Sequence, residues 1–191
     1  MKIDKSIIGS LVLLILIASL YRIMPGRPYG FAPQIAMALF SGSIIKDKKF
    51  SFLLPIFSML VSDIIYEVLF QYKISPIGGF YNGQVLNYLL FAAVTVIGFF
   101  IKKENVLQIA TGAIAGPVFY YLTSNFLVWI SGGTSIANIP YPKSWEGLTS
   151  CMVAGLPFFK TSLYATFIFS AILFGGYFLI NKFTVRHQAI A

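Results

Sequence analysis

The chain has 191 residues, 58% of them hydrophobic and only 10% charged, with a formal net charge of +8 and a mean hydropathy of +0.82. Soluble domains carry about 25% charged residues, so this composition cannot cover a water-soluble core, and lipid has to be the solvent for much of the surface. Lys and Arg fall in short clusters between apolar runs, which excludes a basic nucleic-acid-binding domain, and one cysteine (Cys151) with one histidine (His187) excludes an intramolecular disulfide, a cysteine-based zinc site and a His-rich metal site.

The first apolar segment, 6–24, follows a weakly basic Met1–Lys5 and lacks a convincing small-x-small cleavage site, so it reads as a retained helix. Residues 25–31 hold two Pro and two Gly and form a turn. The second segment, 32–45, has to be broken, tilted or flanked by irregular chain buried in protein, because about 14 residues at 1.5 Å each span only about 21 Å. After Lys46–Lys49, a third segment runs over 50–70 with Pro55 inside it. A polar, Gly-rich loop at 71–83 leads to the fourth, 84–101, and the fifth, 106–130, carries the close-packing pair Gly112-x-x-x-Gly116. A long loop is expected over 131–159, with Pro140, Pro142, Gly147 and Pro157, before a sixth helix at 160–180 and a basic tail. The fold class is therefore an all-α membrane protein, a single transmembrane domain over 1–191 with six spans.

Charge asymmetry orients it. With the N-terminus inside, the inner segments hold nine Lys and Arg (Lys2, Lys5, Lys46, Lys48, Lys49, Lys102, Lys103, Lys182, Arg186), and the outer ones hold five (Arg22, Arg27, Lys73, Lys143, Lys160). The positive-inside rule then puts both termini in the cytoplasm and gathers the three irregular loops on the outer face, where loops on a rigid scaffold tend to carry binding sites.

Several polar groups converge at that depth. Asp63 and Glu67 lie four residues apart on one face of the third helix. Carboxylates there are costly, so Arg22 pairs with one of them, they contact a ligand or cation at the outer mouth, or they snorkel to the interface. Asn125, Asn87 and Gln34 each need a partner, which is either another helix or a ligand. Aromatic residues Phe80, Tyr81, Tyr120, Tyr121, Trp129, Tyr141 and Trp145 form either an interfacial belt or part of a pocket. Cys151 reads as a small buried residue or as a lone thiol facing a ligand. The candidate ligand-binding set is Arg22, Gln34, Asp63, Glu67, Asn87, Asn125 and Trp145. No nucleophile elbow, zinc motif or phosphate loop occurs, so no catalytic residue and no cofactor is assigned.

The stretch Arg22-Ile23-Met24-Pro25, then Ala32 to Gly42, Pro55 and Ser62-Asp63, resembles a bacterial family of transport-type proteins of unknown substrate. Thr123-Ser124-Asn125-Phe126, Tyr141-Pro142, Gly147-Leu148 and Leu156-Pro157-Phe158-Phe159 fit the same pattern. That family is similar to the substrate-binding S-components of energy-coupling factor transporters. The resemblance implies a six-helix plasma-membrane protein, both termini cytoplasmic, that binds a vitamin-like small molecule near the outer face. It also implies a separate transmembrane coupling subunit with two ATPases as partner. S-components often dock through Ala-x-x-x-Ala in their first helix; here Ala32-x-x-x-Ala36 lies in the second. An N-terminal His for nickel or cobalt is missing. Two readings of other classes stand beside this one. One is an intramembrane enzyme acting on lipid or isoprenoid, with Asp63 and Glu67 as acid and base. The other is a structural or assembly subunit.

Overall fold

The computed structural model describes residues 5–135 and 137–188, with side chains over 9–135 and 137–182. Lys2 lies outside the described residues, as do the side chains of Lys5, Arg186 and His187. The described chain is helical: α1 (Lys5–Ile23), α2 (Gln34–Ile44), α3 (Lys48–Ser51), α4 (Leu53–Gln71), α5 (Gln84–Gly98), α6 (Val106–Ile130) and α7 (Trp145–Gln188). An isolated bridge between Thr134 and Pro140 pinches the α6–α7 connection.

Three stretches are long and apolar enough to cross a membrane: Lys48–Gln71, Val106–Ile130 and Trp145–Lys182. The outward face of α1 agrees with a lipid surround, since Val12, Leu13, Leu16, Ile17 and Leu20 are all about half exposed. An unpartnered stripe of this kind has no stable place in water.

At the centre is α2. Every residue from Gln34 to Gly42 is buried, and the helix packs against α4, α5, α6 and α7. It has 11 residues, about 16 Å at 1.5 Å per residue. That shortness is tolerated because protein surrounds the helix on all sides, one of the solutions its length demanded. Around it α1 packs on α4, α4 on α5, α5 on α6 and α6 on α7, and the Tyr21–Phe169 ring contact at 5.2 Å joins α7 back to α1. Of the Ala32-x-x-x-Ala36 pair, Ala36 is fully buried in α2, whereas Ala32 precedes the helix and lines a cavity at one end of the bundle.

Helix boundaries follow local chemistry. Asn105 caps α6 by accepting from the Gln108 N–H at 3.1 Å, and Asp47 caps α3. The largest departure from the sequence reading is α7. The expected loop at 131–159 ends at Ser144, and the helix then runs unbroken for 44 residues through Gly147, Gly155 and Pro157. Ser144 Oγ accepts from the Gly147 N–H at 3.2 Å, and Glu146 lies in the first turn, both favourable at a helix start. The glycines that read as breakers are sites of close approach. A Cβ at Gly147 would sit 2.0 Å from the Pro142 carbonyl oxygen, and one at Gly155 would sit 2.5 Å from Asn125 Oδ1. Cys151 consequently lies on a helix, not in a loop; it is buried, with its thiol donating to the Asn125 carbonyl at 3.4 Å.

Candidate functional site: a polar cavity at one end of the bundle

The chain alternates direction, so the end of α1, the start of α2, the end of α4, the start of α5, the end of α6 and the first half of α7 meet at one end of the bundle. A cavity of about 360 Å³ opens there, inside the range of small-molecule sites. Arg22, Gln34, Asn87 and Asn125 line it, as do Arg27, Tyr81, Tyr120, Tyr121, Ser124 and Ser162. Asp63, Glu67 and Trp145 are not among the lining residues.

Asp63 is behind the wall. It is fully buried and forms an ion pair with Arg22. Its second oxygen accepts from Gln84 Nε2 and, at 2.7 Å, from the Tyr88 hydroxyl. Arg22 also donates to Ser62 Oγ at 2.6 Å, and its carbonyl accepts from Tyr66 at 2.8 Å. The pairing alternative for Asp63 is the one realised. It ties α1 to α4 and α5 and fixes the Arg22 guanidinium at the cavity edge.

Glu67 is turned away from Asp63 toward the α4–α5 connection. Its Oε2 accepts from the N–H groups of Gly79 and Phe80 at 3.1 and 3.4 Å, and Oε1 accepts from Gln71 at 3.3 Å. Gly79 has to be glycine, since a Cβ there would fall 1.7 Å from the Asp63 carbonyl oxygen. Two carboxylates one turn apart thus serve different structures. Glu67→Ala is expected to free the 72–83 loop and lower stability by about 1 kcal/mol. Hydrogen exchange at Gly79 and Phe80 measures this, and unchanged protection at both amides would refute it.

The cavity walls are aromatic and amide. Tyr120 donates to Asn87 Oδ1 at 2.9 Å, and Asn87 Nδ2 donates to the Tyr81 hydroxyl. Partial burial pushes the Tyr81 phenol up from its usual pKa. Tyr120 packs on Phe91 at 5.2 Å and Tyr121 on Phe159 at 4.8 Å. Asn125 donates to the Tyr121 carbonyl at 2.8 Å. Of the aromatic residues singled out in the sequence, Tyr81, Tyr120 and Tyr121 line the cavity. Trp145 is 78% exposed at the start of α7, and Trp129 bonds the Pro142 carbonyl at 2.7 Å.

Gln34 is 2% exposed, and neither its Nε2 nor its Oε1 has a hydrogen-bond partner. A buried amide without partners is costly. Above it the α1–α2 connection is pinned to α7: Thr161 Oγ1 donates to the Tyr29 carbonyl at 2.5 Å, and Gly30, at φ +80°, sits where a Cβ would meet the Phe158 carbonyl at 2.7 Å.

Residues missed in sequence are Gln84 and Tyr88; Arg27, placed in the outer segments by charge, joins the cavity lining. Gln84 and Tyr88 are spaced four apart on the fourth segment, a signal for one shared face. Among the described residues, no three of His, Cys, Asp and Glu come close enough to hold a metal ion.

Fold and site together define an all-helical protein with membrane-length helices and a polar, aromatic-walled cavity at one end of its bundle. The chain belongs to a family of unknown function, DUF6580, which it matches over residues 3–189. No curated protein and no solved structure matches it.

Proposed function

We propose that this protein is the substrate-binding membrane subunit of an uptake system for a vitamin-like small organic molecule. In this reading it is S-component-like, lies in a bacterial plasma membrane with six spans and both termini cytoplasmic, and is energised by a separate coupling subunit with two ATPases. The observation that carries the reading is the cavity. Amide and hydroxyl groups from α2, α5, α6 and α7 converge on about 360 Å³ of space between aromatic walls, the composition expected of a small-molecule site. The buried, unpartnered amide of Gln34 supports it, because a ligand would supply the missing hydrogen bonds.

Thermal melting of the detergent-purified protein against a vitamin panel tests this. One compound at about 100 times its Kd is expected to stabilise the protein by about 2.7 kcal/mol. Asn125→Ala should remove most of that shift, by reshaping the wall that Asn125 shares with Gly155 and Tyr121. A shift that survives Asn125→Ala and Asn87→Ala together would move the site elsewhere. If nothing in the panel stabilises the protein, the uptake reading fails.

A further inference from the structure

The charges around the cavity do not balance. Two guanidiniums, Arg22 and Arg27, line it, and no carboxylate does. Arg22 is neutralised from behind by the buried Asp63. Arg27 has no carboxylate: its Nε donates to the Arg22 carbonyl at 3.1 Å, and its Nη1 donates to the carbonyls of Phe31 at 2.7 Å and Pro28 at 3.3 Å. These bonds engage Nε and Nη1 and hold the guanidinium in place. Among the described residues Nη2 has no partner, and the positive charge is met only by carbonyl dipoles. Glu67, outside the lining, is committed to the 72–83 loop. A half-buried cation beside an apolar wall, without a counter-charge, is costly unless an anion comes to it.

A second feature points the same way. Gln34 lines the same cavity, nine-tenths buried and more, with an N–H₂ group that has no acceptor. A carboxylate reaching Arg27 Nη2 and Gln34 Nε2 would accept a charge-assisted hydrogen bond from each, leaving Gln34 Oε1 for a hydroxyl or N–H elsewhere on the ligand. The lining also includes the rings of Phe91, Tyr120, Tyr121 and Phe159.

We propose that the cavity selects an organic monoanion, a carboxylate on a planar, largely apolar body, with Arg27 as the charge-reading residue and Gln34 as its amide partner. This rests on the substrate-binding reading above and names the class of substrate that the site takes.

The test uses the full-length protein in detergent and matched probes: planar heteroaromatic monocarboxylates and their primary amides, which share shape and differ in charge. An acid is expected to bind at least about 10-fold more tightly than its amide, read by titration of the melting temperature. Arg27→Gln should weaken the acid by about 10- to 100-fold, the scale of one charge-assisted contact, and leave the amide within about threefold. Arg27→Lys, which keeps the charge, should recover part of the loss. The acid–amide comparison on the wild type needs no variant, so it stands even if Arg27→Gln fails to fold. Amides or cationic compounds that stabilise the protein as well as acids do would overturn the anion inference and leave the uptake reading intact. A panel in which no compound of any charge stabilises it would overturn both.

Discussion

Asp63→Ala is expected to cost about 3 kcal/mol of stability, visible as a large drop in melting temperature and in the monodisperse fraction in detergent. Removing one partner of a buried ion pair costs about 3–5 kcal/mol, and the lower end applies because the Arg22 side chain keeps 17% exposure. The loss goes beyond the pair. Gln84 Nε2 and the Tyr88 hydroxyl both donate to the same carboxylate, so its removal takes that acceptor from two donors on α5 at once. Asp63→Asn keeps the shape and loses the charge, and should fall between wild type and Asp63→Ala. The double variant Arg22→Met with Asp63→Leu removes both charges at similar volume and should be more stable than Asp63→Ala alone, because no unpaired charge is left in the bundle. Asp63→Ala melting with wild type would mean that the carboxylate does not hold α1, α4 and α5 together. That outcome would return Asp63 to the set of groups available to a ligand.

The two α4 carboxylates mark where sequence reasoning reached and where it stopped. Spacing puts Asp63 and Glu67 on one face, and the ion pair sets Asp63 beside Arg22. Spacing could not say that Glu67 would turn to cap the amides of Gly79 and Phe80, because that depends on how the 72–83 loop folds back over α4. Arg22, Gln34, Asn87 and Asn125 were placed together by the alternation of apolar segments and all line the cavity. Trp145 was placed with them on the assumption that 131–159 was a loop. The helix start at Ser144 moved it out to 78% exposure. That error came from reading Gly147, Gly155 and Pro157 as breakers, whereas in a packed membrane-type bundle such residues permit close approach and their freed backbone groups find partners nearby. Gly112 and Gly116 were correctly read as packing residues, yet the tighter pair, Gly42 and Gly98, is 56 residues apart in sequence and leaves no local pattern.

That pair carries the other large expected effect. A Cβ at Gly98 would lie 2.5 Å from the Leu39 carbonyl oxygen, and one at Gly42 would lie 2.3 Å from the Thr95 carbonyl oxygen and 2.9 Å from Gly98 Cα. Both obstacles are backbone, so no side chain can swing aside, and the axes of α2 and α5 would have to separate. Since α2 also touches α4, α6 and α7, moving it disturbs every helix around it. Overpacking of this kind costs about 1–3 kcal/mol, and Gly98→Ala is expected at the upper end of that range, with Gly98→Val beyond it. The other glycines form an internal scale. Gly112→Ala meets only the flexible end of Ile101, and Gly175→Ala meets nothing within 4 Å. Gly175→Ala should therefore be neutral or slightly stabilising, as helix propensity favours Ala by up to about 1 kcal/mol. Melting temperatures should fall in the order Gly175→Ala, Gly112→Ala, Gly98→Ala; equal values for the first and last would mean that α2 and α5 are not in backbone contact. Because α2 carries Gln34 to the cavity, Gly98→Ala should also weaken ligand-induced stabilisation, and Gly175→Ala should leave it unchanged. That difference separates a helix that merely fills the core from one that positions the site.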